Sequence, residues 1–165
     1  MRSDSDTTRP LHHVLIVRDF RESAAKCSLT PLRELDGYDF ATYRHDRRVA
    51  AGGRILLHHE APELTLADRG SDILLLDSSW RRLPKLIRTV DGEPTRRSLP
   101  RLVTAYPRES RYTPNPEAGL ASVEALYAAL AVMGDVRPEL LRGYHWREAF
   151  LAANGWLREL VEAEQ

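Results

Sequence analysis

Short apolar runs separated by polar residues mark the first two-thirds of the chain. Five of them, residues 12–17, 38–43, 54–59, 72–77 and 99–105, are rich in aliphatic, aromatic or β-branched side chains, as strands are. Most of the runs are nearly continuous rather than alternating, which favours strands covered on both faces, as in a parallel sheet. Residues 28–35 and 65–69, between the runs, are compatible with helix. This part of the chain is therefore predicted to be α/β.

The pattern changes to a helical period after a loop rich in proline and glycine, RESRYTPNPEAG (residues 108–119). A helix is predicted to begin with Ser122 as its N-cap and to stop at Gly134. Its apolar face is formed by Val123, Leu126, Tyr127, Leu130 and Met133. Residues 145–164 repeat the spacing, with Trp146, Phe150, Ala153, Leu157 and Leu160. The last third of the chain is therefore predicted to be helical.

Length and composition limit the classes of protein to which the chain can belong. The chain has 165 residues, enough for one domain with a substantial core. Its aliphatic runs, such as residues 73–76, are far too short to cross a membrane, and the opening MRSDSDTTRP lacks the apolar stretch of a signal peptide. The sequence has a single cysteine, Cys27, which excludes an internal disulfide. It therefore has no pair of cysteines at the spacing of zinc ligands. We therefore expect a soluble cytoplasmic protein with no membrane partner.

The charges are segregated although the formal net charge is zero. Residues 80–111 contain nine cations and three acids, a local charge of +6, whereas residues 112–165 contain four arginines and eight acids. All cations of the chain except Lys26 and Lys85 are arginines, which suit forked contacts with phosphate. The distribution favours a polyanionic partner such as RNA; the alternative is a solvated loop with scattered charge.

A polar group of residues, Asp77-Ser78-Ser79-Trp80, follows the most aliphatic run and precedes an arginine-rich stretch. Open parallel sheets build their ligand sites outside the carboxyl ends of strands, so this junction is a candidate binding site. Asp77 can equally cap the turn that follows the strand.

Familiar catalytic motifs are absent from the sequence. It contains no glycine-rich phosphate loop, no GxSxG elbow and no HExxH motif. The histidine pairs at residues 12–13 and 58–59 offer at most one ligand per face of a strand, so we expect no metal site.

Six segments nevertheless form a recognisable series: DFRESAAKCS (residues 19–28), GRILLHHEAPELTLAD (53–68), LDSSWRR (76–82), LPRLVTAYP (99–107), LASVEALYAA (120–129) and HWREAF (145–150). In this order they resemble the ribosomal (18S-type) RNA aminocarboxypropyltransferase family, which is related to the SPOUT enzymes. The resemblance implies a divergent, bacterial-like member. Such enzymes use S-adenosylmethionine to add a 3-amino-3-carboxypropyl group to a modified uridine of small-subunit rRNA.

The chain departs from the family pattern at several positions. The sequence SAA at residues 23–25 replaces the first family cysteine and the D-P-K that follows it. His58 occupies the place of a family proline and Tyr106 that of an asparagine, and a few extra residues lengthen the loop before Leu120. These differences concern the RNA substrate more than the cofactor.

The fold implied by the resemblance is a five-stranded parallel sheet with a deep trefoil knot of the SPOUT kind, followed by a helical part. Residues 11–106 would form the α/β, cofactor-binding part and residues 107–165 the helical C-terminal part. In the family the cofactor lies in the knot and is held largely by backbone groups and apolar side chains.

The resemblance also implies a set of site residues. The adenine pocket would be lined by Leu56, His58, Trp80 and Leu83, with Ser79 beside it; the backbone of Leu99 and Ala118 would face the base edge, the Leu76 carbonyl the ribose, and Ser28 the methionine end. The RNA-binding residues are predicted from the charge of residues 80–111 instead: Arg81, Arg82, Arg96, Arg97 and Arg101.

The transfer reaction that the resemblance implies needs few catalytic groups from the protein. The sulfonium is a good leaving group whose charge disappears as the thioether forms, so a dry apolar wall does not oppose the reaction. The attacking uridine nitrogen must lose a proton, and Asp77 is the candidate general base. The alternatives are a SPOUT-type RNA methyltransferase with the same cofactor and a non-catalytic, RNA-binding ribosome assembly factor. We expect a monomer in each case.

Overall fold

The computed structural model describes residues 10–21, 28–79, 81–106 and 120–163. Cys27, Trp80 and Ala118, together with the loop at residues 107–119, lie outside these ranges. Within the described ranges no helix has the length and apolar character needed to span a membrane.

The described strands are β1 (Val14–Asp19), β2 (Tyr38–Tyr43), β3 (Val49–Ala50), β4 (Ile55–Leu57), β5 (Ile73–Asp77), β6 (Val90–Asp91) and β7 (Thr95–Arg97). Five of them form one sheet in the order β2-β1-β5-β4-β7, and every neighbouring pair is parallel. β3 and β6 form a separate parallel pair. The predicted five-stranded parallel sheet is therefore confirmed.

The predicted strand at residues 99–105 is wrong. The fifth strand is β7, a polar stretch that pairs with β4 at the edge of the sheet. The chain after Ser98 runs on as far as Tyr106 without joining a β-ladder. Leu99, Leu102 and Ala105 pack against the core, which explains their strand-like apolar pattern. Hydrophobicity reports burial, whereas a ladder needs only backbone groups.

The described part of the chain contains four α-helices, which follow the strands or lie between them: α1 (Leu83–Ile87), α2 (Ser122–Val132), α3 (Arg147–Ala153) and α4 (Gly155–Ala163). Among the same residues, short 3₁₀ helices lie at Thr30–Glu34, Leu66–Asp68 and Pro138–Leu140. The helix stop at Gly134 is confirmed, since this glycine has a φ of 78° in the left-handed region. Ser122 is not the N-cap of α2, because Ala121 holds that position.

The sheet separates two apolar clusters. On one face Ile16 and Ile73 pack with residues of α2, α3 and α4, so the sheet and the helical part share one core. On the other face Val17 and Leu74 pack with Leu86 of α1. α2 is buried on nearly all sides because it packs against both β5 and α4.

A buried polar network joins the amino-terminal edge of the sheet to the end of α2. The Gly70 N–H donates to His12 Nε2 at 2.9 Å, so that nitrogen carries no hydrogen, and Nδ1 donates to Asp135 Oδ2 at 2.7 Å. Arg137 donates to Asp135 at 2.7 Å, to the His12 carbonyl at 2.8 Å and to the Tyr38 hydroxyl at 3.0 Å. The network fixes the edge of the sheet opposite the strand ends described next.

Candidate functional site

The carboxyl ends of the parallel strands meet at one edge of the sheet, as they must in a parallel sheet. β1 ends at Asp19 and β5 at Asp77, and these two strands are direct neighbours. β4 and β7 end beside them, followed by His58 and Ser98. The predicted site residues Leu76, Asp77, His58 and Leu99 therefore all belong to this edge.

Asp77 connects three elements of this edge. It lies opposite Arg18 in the register of β1 and β5, and Arg18 Nε donates to its Oδ2 at 3.4 Å. The side chains of Arg18 and Asp77 are only 7% and 10% exposed. The Ser122 hydroxyl donates to the other carboxylate oxygen at 2.7 Å, from the first turn of α2. These contacts make Asp77 an anchor of the strand end.

Asp19 is a second buried acid at this edge. Its carboxylate accepts a hydrogen bond from Arg82 Nε and another from the Arg21 backbone N–H at 3.2 Å. Arg82 was predicted to bind RNA, yet it is half-buried in this ion pair. It joins the end of β1 to the residues just before α1.

The apolar residues predicted for the cofactor pocket lie together. Leu56 and Leu76 are buried in the cluster on the α1 face of the sheet, and Leu83 at the start of α1 packs against the same cluster. The Ser79 carbonyl accepts hydrogen bonds from the backbone N–H groups of Arg82 and Leu83 at 3.0 and 3.1 Å, so Ser79 fixes the entry to α1. Trp80, between them, lies outside the described residues.

His58 is a neutral ring at neutral pH. Burial is the main cause that lowers its pKa, and the nearby His59 and Arg96 lower it further, while Glu60 opposes them. The Glu60 N–H donates to His58 Nδ1 at 3.2 Å, so the ring hydrogen is on Nε2. The ring stacks on His59 with 4.8 Å between centroids.

The segment of residues 99–106 is held at this edge by side chains instead of a neighbouring strand. Asn154 accepts from the Val103 N–H at 2.9 Å and donates to the Val103 carbonyl at 2.8 Å. Glu124 accepts from the Thr104 hydroxyl at 2.6 Å and from the Ala105 N–H at 3.0 Å. Asn154 also separates α3 from α4, where the sequence suggested one helical stretch.

The five arginines predicted to bind RNA fall into two groups. Arg81, Arg96 and Arg101 are exposed. Arg82 and Arg97 are half-buried, and Arg97 Nε lies 3.2 Å from the Asp68 carboxylate. Arg82 and Arg97 therefore have a structural role in these ion pairs, whether or not they also bind RNA.

Ser28 lies half-buried just before the turn that begins at Thr30. Arg18 Nη2 donates to the Thr30 hydroxyl at 3.4 Å, which ties this turn to the end of β1. Ala118, the remaining predicted residue, lies outside the described residues.

Sequence reasoning missed several residues of this edge. Asp19 could have been predicted, because it is an acid at the end of an apolar strand, as Asp77 is. Glu124 and Asn154 gave no signal, because their hydrogen-bond partners on the segment are between 19 and 51 residues away in the chain.

The fold and the site define an α/β protein with a parallel sheet, whose candidate site lies at the carboxyl edge and is shared with a helical C-terminal part. Residues 57–164 match the family model described as "Ribosome biogenesis protein, C-terminal". The 16S rRNA aminocarboxypropyltransferase of Halobacterium salinarum is 32% identical over 124 residues, which cover 74% of this chain and 72% of that protein. The chain therefore belongs to the rRNA aminocarboxypropyltransferase family of ribosome biogenesis proteins.

A solved structure has the same architecture. The SAM-dependent rRNA:acp-transferase Tsr3 from Vulcanisaeta distributa matches with a TM-score of 0.66 and 27% identity, over 93% of this chain and 84% of that one. The predicted family is confirmed, and so is the fold of a parallel five-stranded sheet with helices.

Proposed function

We propose that this protein transfers the 3-amino-3-carboxypropyl group of S-adenosylmethionine to a uridine of rRNA. The observation that carries the proposal is the convergence of family-like segments at one sheet edge: residues 53–68, 76–82, 99–107 and 120–129 supply the ends of β4 and β5, the extended segment and the start of α2. The named activities of the Halobacterium and Vulcanisaeta relatives support the same reaction.

The residues at this edge fit the cofactor. Leu56, Leu76 and Leu83 provide an apolar wall, and the neutral His58 ring does not repel a sulfonium cation. In the proposal these residues hold the adenosine, together with Ser79, the Leu99 backbone, Trp80 and Ala118, while Ser28 holds the methionine end. When bound, S-adenosylmethionine supplies an electrophilic carbon next to a positively charged sulfur.

The chain's own task is to orient the uridine and accept its proton. The uridine nitrogen forms a bond to the aminocarboxypropyl carbon, the carbon–sulfur bond breaks, and its electron pair stays on the sulfur of 5′-methylthioadenosine. The transferred carbon must lie in line with the nitrogen at about 3–3.5 Å. Asp77 is the proposed base for the nitrogen's proton, and its contacts with Arg18 and Ser122 support an anchoring role beside it.

RNA is proposed to bind across Arg81, Arg96 and Arg101, with Arg82 and Arg97 shaping the same surface. The exposure of the first three and the local excess of cations support this assignment.

We also propose the deep trefoil knot of the SPOUT-like fold. The return of the chain from the edge strand β7 to α2, which packs against β5, supports such a crossing. An experimental structure that traces the backbone through residues 107–119 tests it. The bacterial-like origin, the monomeric state and the cytoplasmic location remain predictions, and light scattering and cell fractionation test the last two.

Chromatography of the spent cofactor tests the proposed reaction. The protein is incubated with labelled S-adenosylmethionine and with small-subunit rRNA from a strain that lacks it; a reaction without RNA is the control. Release of 5′-methylthioadenosine that depends on RNA supports the proposal. Release of S-adenosylhomocysteine would identify a methyltransferase instead. If the cofactor is not turned over with any RNA, a non-catalytic assembly factor is favoured.

A further inference from the structure

Two side chains of the helical part bind backbone groups of residues 99–106: Glu124 in α2 and Asn154 between α3 and α4. Outside a sheet, buried N–H and C=O groups must find other partners. The Val103 N–H and C=O are both paired with Asn154, which is 5% exposed, and the Ala105 N–H is paired with Glu124, which is 0% exposed. Because both side chains are buried, they hold the segment in one position.

Glu124 receives hydrogen bonds from two separate parts of the chain. The Thr104 hydroxyl and the Ala105 N–H come from the extended segment, and the Ala121 N–H, at 2.8 Å, comes from the N-cap of α2. A carboxylate is suited to this place, since it only accepts hydrogen bonds and lies at the positive end of a helix dipole. Glu124 thus fastens the segment to the start of α2.

We propose that Glu124, supported by Asn154, is a positioning residue of the cofactor site. This inference rests on the proposed function, because Leu99 belongs to the fastened segment and its backbone is the proposed contact of the adenine edge. Leu99 and Leu102 pack into the core and Pro100 restricts the chain between them, so a shift at Thr104 and Ala105 is passed towards Leu99. The same segment carries Arg101.

Three variants test the contact between Thr104 and Glu124 directly. Glu124→Gln keeps the size of the side chain but turns an N–H₂ group towards one of the three donors. Thr104→Val removes the hydroxyl that donates to Glu124 and also accepts from the exposed Tyr106 N–H at 3.1 Å, and Thr104→Ser retains that hydroxyl. Asp135→Asn is the control, because it weakens a buried network at the opposite edge of the sheet.

The measurements are the melting temperature, the Kd for S-adenosylmethionine by calorimetry, and KM and kcat with RNA. Glu124→Gln and Thr104→Val should raise the Kd and KM for the cofactor by about tenfold, as expected for a lost hydrogen bond to a charged group. Their kcat at saturating cofactor should stay within about twofold, since the reacting groups are untouched. Thr104→Ser should return the Kd to the wild-type value, and Asp135→Asn should melt earlier with an unchanged Kd.

A lower melting temperature with an unchanged Kd in both Glu124→Gln and Thr104→Val would overturn the inference, as would a Thr104→Ser protein that binds as weakly as Thr104→Val. If Glu124→Gln does not fold, the Thr104 pair decides alone. A wild-type protein that binds no S-adenosylmethionine would overturn the proposed function and this inference with it. If the wild type binds S-adenosylmethionine and the variants bind it with the same Kd, the inference about Glu124 is overturned and the proposed function is not.

Discussion

The Ser122 hydroxyl donates a 2.7 Å hydrogen bond to Asp77, so the first turn of α2 is joined to the carboxyl end of β5. Arg18 binds the other oxygen of the same carboxylate from the neighbouring strand. Asp77 therefore has structural partners at the place where the proposed reaction needs a base.

Asp77→Asn separates the two roles. Loss of the carboxylate leaves the buried Arg18 charge without this partner, so the free energy of unfolding should fall by about 3 kcal/mol. If Asp77 is also the base, turnover of the folded variant should fall by about 10²-fold at saturating cofactor. Ser122→Ala is the control: it removes one hydrogen bond, should cost about 1 kcal/mol and should keep most of the turnover. If the Asp77→Asn enzyme has normal turnover, Asp77 is not the base and its only role is to anchor the strand end.

Acidification should weaken cofactor binding through His58. Its pKa is lowered from the ordinary value, chiefly by burial, so the ring is neutral at pH 7 and gains a charge only below about pH 6.5. A charged ring would repel the sulfonium, so the Kd for S-adenosylmethionine should rise as the pH falls below that value. His58→Gln should remove this dependence, while the exposed His59→Gln should keep it. The same pH profile in wild type and His58→Gln would assign the effect to another group.

The exposed arginines should govern the salt dependence of RNA binding. Each phosphate contact contributes about 0.7–0.9 to the slope of log K against log salt. Arg96→Ala and Arg101→Ala should each flatten the slope by about that amount and leave cofactor affinity unchanged. Arg158→Ala, which removes an arginine paired with Glu148 in the helical part, should not change it. Equal slopes for all three variants and wild type would place the RNA on a different surface.

The network at the amino-terminal edge should make stability depend on acid pH. Burial alone would raise the pKa of Asp135, but the hydrogen bonds from Arg137 and His12 outweigh it and hold the pKa below its usual value. A carboxyl with a lowered pKa in the folded state stabilises the fold at pH values above about 4, and this stabilisation is lost as the pH falls through the folded-state pKa. Asp135→Asn should therefore be less stable by about 3 kcal/mol at pH 7, and the difference should shrink below pH 4. Denaturant titrations at several pH values measure it; a difference that persists in acid would contradict the linkage.

The sequence predicted those parts of the fold that depend on apolar burial. The second strand was predicted with its observed bounds, Tyr38–Tyr43, and the aliphatic run that ends at Asp77 forms the centre of the sheet. β7 was missed because Thr95–Arg97 is a polar edge strand, which pairs through its backbone and leaves no apolar pattern. Residues 99–105 were mistaken for that strand because Leu99, Leu102 and Ala105 pack against the core, although the backbone of this stretch is bound by side chains.

The candidate site was predictable in outline and not in its polar contacts. The family-like segments located the edge, since a few residues around each strand end carry the resemblance. The partner of a buried polar group is chosen by the folded geometry, so nothing near Arg82 in the chain indicated its pairing with Asp19. For the same reason the sequence did not show which of the five predicted RNA-binding arginines are exposed and which are half-buried.

Asn154 is followed by Gly155, and this dipeptide has a chemical liability that its place in the fold restrains. The glycine nitrogen of an Asn-Gly pair readily attacks the carbonyl carbon of the asparagine side chain and expels ammonia, which leaves a cyclic imide. Water then opens the imide to aspartate or isoaspartate. In the folded protein the Asn154 amide is occupied by the carbonyls of Val103 and Phe150 at 2.8 Å and by the Val103 N–H. An aspartate there could no longer donate to either carbonyl. Damage during ageing should therefore begin when the segment of residues 99–106 detaches, and once deamidated the segment cannot be held in the same way again.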